Sequence, residues 1–329
     1  MTNIEGGLQR LTDLGPLAAF LASCTWALGS STYSRLSLIH SPFAINFTRA
    51  LLALPLFFIG ALTFQVEPMS LAQVFDGVRI EHWGWLSVSV MCSYALADAF
   101  FVWSTRSLGV PGALAIASAY PVWTALFGAL YRDETLSSLN LLGLLVTLAG
   151  VSAVILSAPQ KNSRPTETVE LQGHSQKSNL LVRGVTLAVL TSLMWAANSA
   201  SIAAVGPALS SYQMNLIRMI LALILCFFLG AFAYLRGRSR HLNARWEIAL
   251  SWRALRPFFW IFILEAFGGS LFFTYGLAHS PLVLASTLSS LAPVIAVPVA
   301  WALRLERVNP LRTAAVAAVV GGLTLLFVK

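Results

Sequence analysis

Residues 46–59, NFTRALLALPLFFI, return 169 positions later as residues 215–228, NLIRMILALILCFF, with seven of fourteen positions identical. Leu and Ala recur between any two apolar segments. The Asn and Arg three residues apart do not, and Asn46 with Arg49 falls in the same register as Asn215 with Arg218. Trp26 and Ala27 match Trp195 and Ala196 at the same offset. Further along the offset becomes 172: Phe100 and Phe101 match Phe272 and Phe273, Ser118 and Pro121 match Ser290 and Pro293, Arg132 and Glu134 match Arg304 and Glu306, and Gly150 matches Gly322. The chain is a duplicated unit of roughly 150 residues, so its fold must accommodate one order of elements twice.

Each unit is too apolar for water. Hydrophobic residues make up 57% of the chain, charged residues only 10%, and the mean hydropathy is +0.75. A soluble domain carries about 25% charged residues. The three cysteines, Cys24, Cys92 and Cys226, sit inside apolar runs with no C-x-x-C pair, which excludes a disulfide framework or zinc site and leaves them as small packing residues. A net charge of +8 could point to nucleic acid, but the basic residues lie in short segments between apolar runs, where orientation in a membrane accounts for them. The run from Pro16 is too long for a signal-peptide core and reads as a retained first span.

Crossing a hydrocarbon core of about 30 Å takes about twenty apolar residues in a helix. Ten runs of that kind are expected, near 16–38, 42–64, 84–106, 110–131, 139–158, 182–205, 209–235, 257–278, 282–303 and 308–328. Ser41-Pro42 and Ser280-Pro281 open two of them, a capping residue followed by one that needs no donor. The polar stretch PQKNSRPTETVELQGHSQKSN has the composition of a linker. The expected division is a first five-helix repeat at 1–158, a polar linker at 159–181 and a second five-helix repeat at 182–329. Five is odd, so the second copy enters the membrane from the opposite face. The fold class is an all-α integral membrane protein of ten transmembrane helices in two inverted repeats, an arrangement many secondary transporters use.

The paired halves resemble the drug/metabolite transporter superfamily, in particular its ten-helix EamA-type permeases. The resemblance spans nearly the whole chain. It rests on Trp-Ala in the first helix of each half and on each fourth helix, where a proline (Pro121, Pro293) precedes a glutamate (Glu134, Glu306) at the helix exit. It implies a carrier for small solutes such as amino acids, sugars, other metabolites or amphipathic drugs. It also implies a central cavity lined by the first, third, fourth, sixth, eighth and ninth helices.

Four charged side chains fall well inside the expected spans: Arg49, Asp98, Arg218 and Glu265. A central charge costs about 2.5–3.5 kcal/mol on insertion scales, so each should face protein or water. At 1.5 Å of rise per residue, Asp98 and Glu265 lie about 12 Å, and Arg49 about 10 Å, from one membrane face, while Arg218 lies toward the other. Two readings stand for each acid: a coupling group or ligand for a cationic substrate group, or a structural partner of Arg49. Arg49 and Arg218, each with an Asn one turn earlier, read first as residues bracing the fold or snorkelling, and second as substrate-pairing charges.

Trp26, Trp195, Tyr94 and Tyr120 lie on helices that the resemblance places around the cavity, and the tryptophans recur at matched internal positions. Ser118, Ser290 and Asn198 are candidates for hydrogen bonds to substrate, although small polar residues equally let helices approach closely. No catalytic residue is assigned. The five histidines fall in loops or at helix ends, and neither an H-E-x-x-H helix nor a Gly-flanked serine nucleophile occurs. No filter sequence of a channel is recognisable either. The expected partners are a small-molecule substrate and the lipid bilayer, with no nucleic acid, cofactor or metal, in a monomer or homodimer of the cell membrane.

Orientation follows from the basic residues. The face carrying the N-terminus receives four, Arg10, Arg79, Arg132 and Lys329, and the opposite face receives fifteen, which with Arg49 and Arg218 account for all 21 Lys and Arg. Cytoplasmic segments are enriched in Lys and Arg, so the charges put both termini outside, whereas the resemblance implies cytoplasmic termini. Labelling intact cells with a membrane-impermeant thiol reagent, in a cysteine-free background, distinguishes the two. The charges predict that a cysteine replacing Ser239 stays protected and one replacing Ser70 reacts. The opposite pattern would return the termini to the cytoplasm.

Overall fold

The computed structural model describes all residues except 1, 37–38, 65–72, 132, 157–173, 240–246, 293, 296–309 and 327–329. Ser70, most of the expected linker, and the motif residues Arg132, Pro293, Arg304 and Glu306 therefore lie outside the described residues. Helices dominate, and no strand occurs among the described residues.

The first repeat contains α1 (Thr2–Leu36), α2 (Pro42–Thr63), α3 (Ile80–Val90), α4 (Leu96–Ala117), α5 (Tyr120–Tyr131) and α6 (Ser138–Leu156). The second contains α7 (His174–Val205), α8 (Ser211–Ser239), the short α9 (Trp252–Leu255) and α10 (Phe259–Ile263), then α11 (Ser270–Ala278), α12 (Leu282–Ser289) and α13 (Pro310–Leu326). Ser41 caps α2 as its sequence predicts, accepting a hydrogen bond from the Phe43 N–H at 3.3 Å with Pro42 in the first turn. Ser280 does not repeat this. Its helix starts at Leu282 with no side-chain cap, and the buried Ser280 hydroxyl has no hydrogen-bond partner.

Among the described residues five helical segments are long and apolar enough to cross a membrane: Pro42–Thr63, Ile80–Phe101, Leu180–Val205, Ser211–Arg236 and Trp252–Ala278. Leu14–Gly29, Ser138–Ala153 and Thr313–Leu325 are shorter apolar stretches. The expected fourth and ninth spans are interrupted. Where the sequence places a turn at 107–109, α4 continues to Ala117, and the chain breaks at residues 118–119 instead. The second copy breaks at 290–291, which is the same place at the offset of 172. Pro121 follows the first break and cannot donate to the carbonyl four residues earlier, and the sequence has Pro293 at the equivalent position of the second copy.

A second irregularity is duplicated too. Between α3 and α4 the helix loosens into a π turn at Met91–Ala95, and between α10 and α11 another occupies Leu264–Gly269. Adding 172 to the first range gives 263–267, which overlaps the second. π turns lie disproportionately at functional sites, and these two carry Tyr94 and Glu265.

The molecule divides into two compact units, each drawn from both repeats: Met1–Leu96 with Ala197–Ala292, and Ala97–Ala196 with Pro293–Lys329. In the first unit α2 packs against its repeat counterpart α8, and α1 packs against α11 and α12. Ala50, Ala53, Phe57 and Ala61 of α2 meet Leu216, Met219, Ala222 and Cys226 of α8, with Tyr94 and Ala266 completing the buried cluster. Small residues alternating with large ones allow this close pairing. Loops are tied down by polar contacts: both oxygens of Glu247 approach His40 Nδ1, at 2.8 and 2.9 Å, and the Leu250 N–H donates to Thr48 Oγ1 at 2.8 Å.

In the second unit α6 packs along its own counterpart α13. The contact is reciprocal. A Cβ at Gly150 would lie 2.7 Å from Val319 Cγ2 and 3.0 Å from the Ala315 carbonyl oxygen, and one at Gly322 would lie 2.6 Å from the Thr147 nitrogen and 2.8 Å from the Gly143 carbonyl oxygen. Adding 172 turns Gly143, Thr147 and Gly150 into positions 315, 319 and 322, so each helix presents its glycine to the same two places on the other. At the end of α5, Asp133 takes a left-handed φ of 52° and the Glu134 N–H donates to the Gly128 carbonyl at 3.1 Å. The Glu134 carboxylate lies over Gly128, where a side chain would meet it.

Candidate functional site

Four of the sequence candidates converge around Arg49 in the first unit. One turn after Asn46 on α2, its guanidinium faces the π turn ahead of α11, where Glu265 accepts two bonds: Nε to Oε2 at 3.0 Å and Nη2 to Oε1 at 2.6 Å. Nη1 donates to Asn46 Oδ1 at 2.9 Å, and Asn46 Nδ2 in turn donates to the Tyr94 carbonyl at 3.1 Å. Arg49 is 8% exposed and Glu265 5%. Bidentate pairing is the geometry that best compensates two desolvated charges. Glu265 is thus the ion-pair partner of Arg49.

Arg218 on α8 is built the same way and ends differently. Nη1 donates to Asn215 Oδ1 at 2.9 Å, the same length as in the first copy. Asn215 Nδ2 reaches Thr274 Oγ1 at 2.7 Å and the Ser211 carbonyl at 2.9 Å. The remaining contacts of Arg218 are neutral: Nε to Ser89 Oγ at 3.1 Å and Nη2 to Asn198 Oδ1 at 3.4 Å, with Ser89 Oγ itself donating to Asn198 Oδ1 at 2.7 Å. Among the described residues no carboxylate stands within ion-pair distance of it, although it is only 3% exposed.

Tyr94 links the two arginines. Its ring centroid is 5.4 Å from the guanidinium carbon of Arg49 and 6.0 Å from that of Arg218. Trp26 on α1 stands 5.9 Å from Arg49. Cation–π attraction of this kind helps hold a desolvated guanidinium. Trp26, Asn46, Arg49, Tyr94, Asn198, Asn215, Arg218 and Glu265 therefore form one polar and aromatic cluster inside an otherwise apolar unit. Ser290 also belongs to that unit, but its hydroxyl is turned to its own helix, on the Thr287 carbonyl at 2.8 Å.

The other candidates belong to the second unit. Asp98 is half-buried in the first turn of α4. Trp195 packs against Phe101 at 5.9 Å and meets Tyr120 edge-on at 6.0 Å, and Tyr120 is buried. Ser118 is buried at the break between α4 and α5. Sequence reasoning missed Ser89 and Thr274, which receive the second arginine and its asparagine. Neither residue type is unusual on an apolar helix, so no signal in the sequence marks them.

Chemically the cluster can hold charge. Among the described residues it offers one arginine neutralised by a carboxylate and one arginine held by neutral oxygens and a ring, both beside aromatic surface.

Comparison with known proteins agrees with this architecture. A search of curated protein sequences finds no match. One solved structure, published as "Crystal structure of protein", matches with a TM-score of 0.67 over 95% of this chain and 95% of its own at 15% identity, a likeness that concerns the fold alone. The model of the EamA-like transporter family matches twice, over residues 13–156 and 182–328. Two copies of that family's unit in a chain of membrane-crossing helices settle what it is: a multi-pass membrane transporter belonging to the EamA-like transporter family of the drug/metabolite transporter superfamily.

Proposed function

We propose that this protein is a secondary transporter of the cell membrane that moves a small metabolite or drug by alternating access, with ten spanning helices in two inverted repeats. The observation that carries this reading is the duplication of the irregular features. Both copies have a π turn in the third helix, overlapping at the offset of 172, and a break ahead of a proline in the fourth, at positions 172 apart. Interrupted helices in paired repeats are where such carriers bind their substrates, and two halves with the same weak points can exchange conformations.

Both acids are candidates for coupling, Glu265 from its pairing with Arg49 and Asp98 from its half-buried place in the first turn of α4. Trp195, Tyr120 and Ser118 are candidates for substrate contact in the same unit as Asp98. The test is reconstitution in liposomes with preloaded solute. Saturable counterflow supports the carrier, whereas ohmic conductance without saturation would make the protein a channel. In the same vesicles Asp98→Asn is expected to abolish the pH dependence of uptake while leaving exchange of preloaded solute in place. An unchanged pH profile would remove Asp98 from coupling.

A further inference from the structure

We propose that Arg218 anchors a carboxylate-binding site, in which the ligand's carboxylate takes the place beside Arg218 that Glu265 takes beside Arg49. The inference rests on the transporter reading above and names its substrate class, a small solute bearing a free carboxylate.

The argument starts from the repeat. Arg49 and Arg218 are equivalent positions, each oriented by an asparagine one turn earlier through a bond of 2.9 Å. Arg49 lies on the second helix of its copy and finds its carboxylate on the third helix of the other copy, at position 265. By the same exchange Arg218 faces the third helix of the first copy, and it does so: it donates to Ser89 and stacks near Tyr94. The position equivalent to 265 is 93, where the chain has serine. Ser93 turns its hydroxyl to the Ser89 carbonyl, at 2.8 Å, and is shorter than glutamate by about the size of a carboxylate group.

A guanidinium has five N–H donors. Among the described residues the three bonds of Arg218 all go to neutral oxygens, and the longest is 3.4 Å. A buried charge is retained in a membrane protein when it is paired or when it does something. Arg218 is fully desolvated, preorientated by Asn215 and next to an aromatic ring, and the planar fork of arginine matches a carboxylate in a bidentate way. Among the described residues a carboxylate stands beside one arginine of the pair and none stands beside the other.

The experiment uses the purified full-length protein and acetate, butyrate, phenylacetate and indole-3-acetate, each beside its amide and its amine. Ligands that bind the folded state raise Tm. At least one carboxylate is expected to raise Tm while its amide and amine do not. Arg218→Lys, which keeps the charge and loses the fork, is expected to weaken that binding at least tenfold. Ser93→Glu places a carboxylate on the chain beside Arg218 and is expected to abolish the ligand shift with its own Tm at or above that of the wild type. The inference is overturned if no carboxylate shifts Tm, if the amide does as well, if both variants bind as the wild type does, or if Ser93→Glu is destabilised. Counterflow separates this from the transporter reading. Uptake of amines or amides alone would keep the carrier and remove the carboxylate site, whereas carboxylate binding without any uptake would keep the site and remove the carrier.

Discussion

Glu265→Gln is expected to destabilise the protein by about 3–5 kcal/mol, the cost of leaving a buried charge without its partner. Glutamine preserves the shape and can still accept one bond from Arg49, so the loss reports charge more than packing. Arg49 sits on α2 and Glu265 in the π turn ahead of α11, both nearly inaccessible, so neither charge can recover its loss from water. Arg49→Gln is expected to cost a similar amount. The double variant should recover most of it, since a neutral pair leaves no uncompensated ion. Equilibrium unfolding in mixed micelles measures all three. A loss below about 1 kcal/mol for Glu265→Gln would mean that the pair is solvated and does not brace the unit.

The second large effect is expected at Gly322. Its substitution by leucine should cost about 1–3 kcal/mol or more, because overpacking a close helix contact forces displacement. The new Cβ would meet the Thr147 hydroxyl and, at 2.6 and 2.8 Å, backbone atoms of Thr147 and Gly143, and since the backbone atoms cannot rotate away, α6 and α13 must separate. Gly150→Leu should do the same from the other helix, and the two together should cost less than their sum because one separation accommodates both. Gly321 is the control. A Cβ there meets nothing within 4 Å, so Gly321→Leu should fall within about 0.5 kcal/mol of the wild type. Equal losses at Gly321 and Gly322 would contradict the packing of α6 on α13.

The candidate site was legible in the sequence only as far as repetition made it so. Asn46 with Arg49, and Asn215 with Arg218, stand out because polar residues in matched register inside apolar runs are expensive to keep. Their local geometry was implied, since three residues is one helical turn and each asparagine does meet its arginine. Trp26 was also marked by its repeat partner Trp195, yet the two ended in different surroundings, one beside Arg49 and the other against Phe101 and Tyr120. Matching in sequence fixes position along a helix and leaves the neighbours open.

The sequence by itself determined the duplication and the membrane class, because each follows from composition or from repetition along the chain. Only the tertiary structure decided that Glu265 pairs with Arg49, across 216 residues, and that Arg218 is left to Ser89, Asn198 and a ring. Distance along the chain carries no information about which helix faces which, and that choice belongs to packing. The π turns are of the same kind. Nothing in MCSYA or LEAFGG announces a widened turn, yet the two turns carry Tyr94 and Glu265. The breaks at 118–119 and 290–291 lie between these extremes. Pro121 and Pro293 remove a bond whatever surrounds them, which is local chemistry, but α1, α2 and α4 run on through Pro16, Pro55 and Pro111, so where a helix breaks is a decision of the fold, as is the continuation of α4 through the expected turn at 107–109.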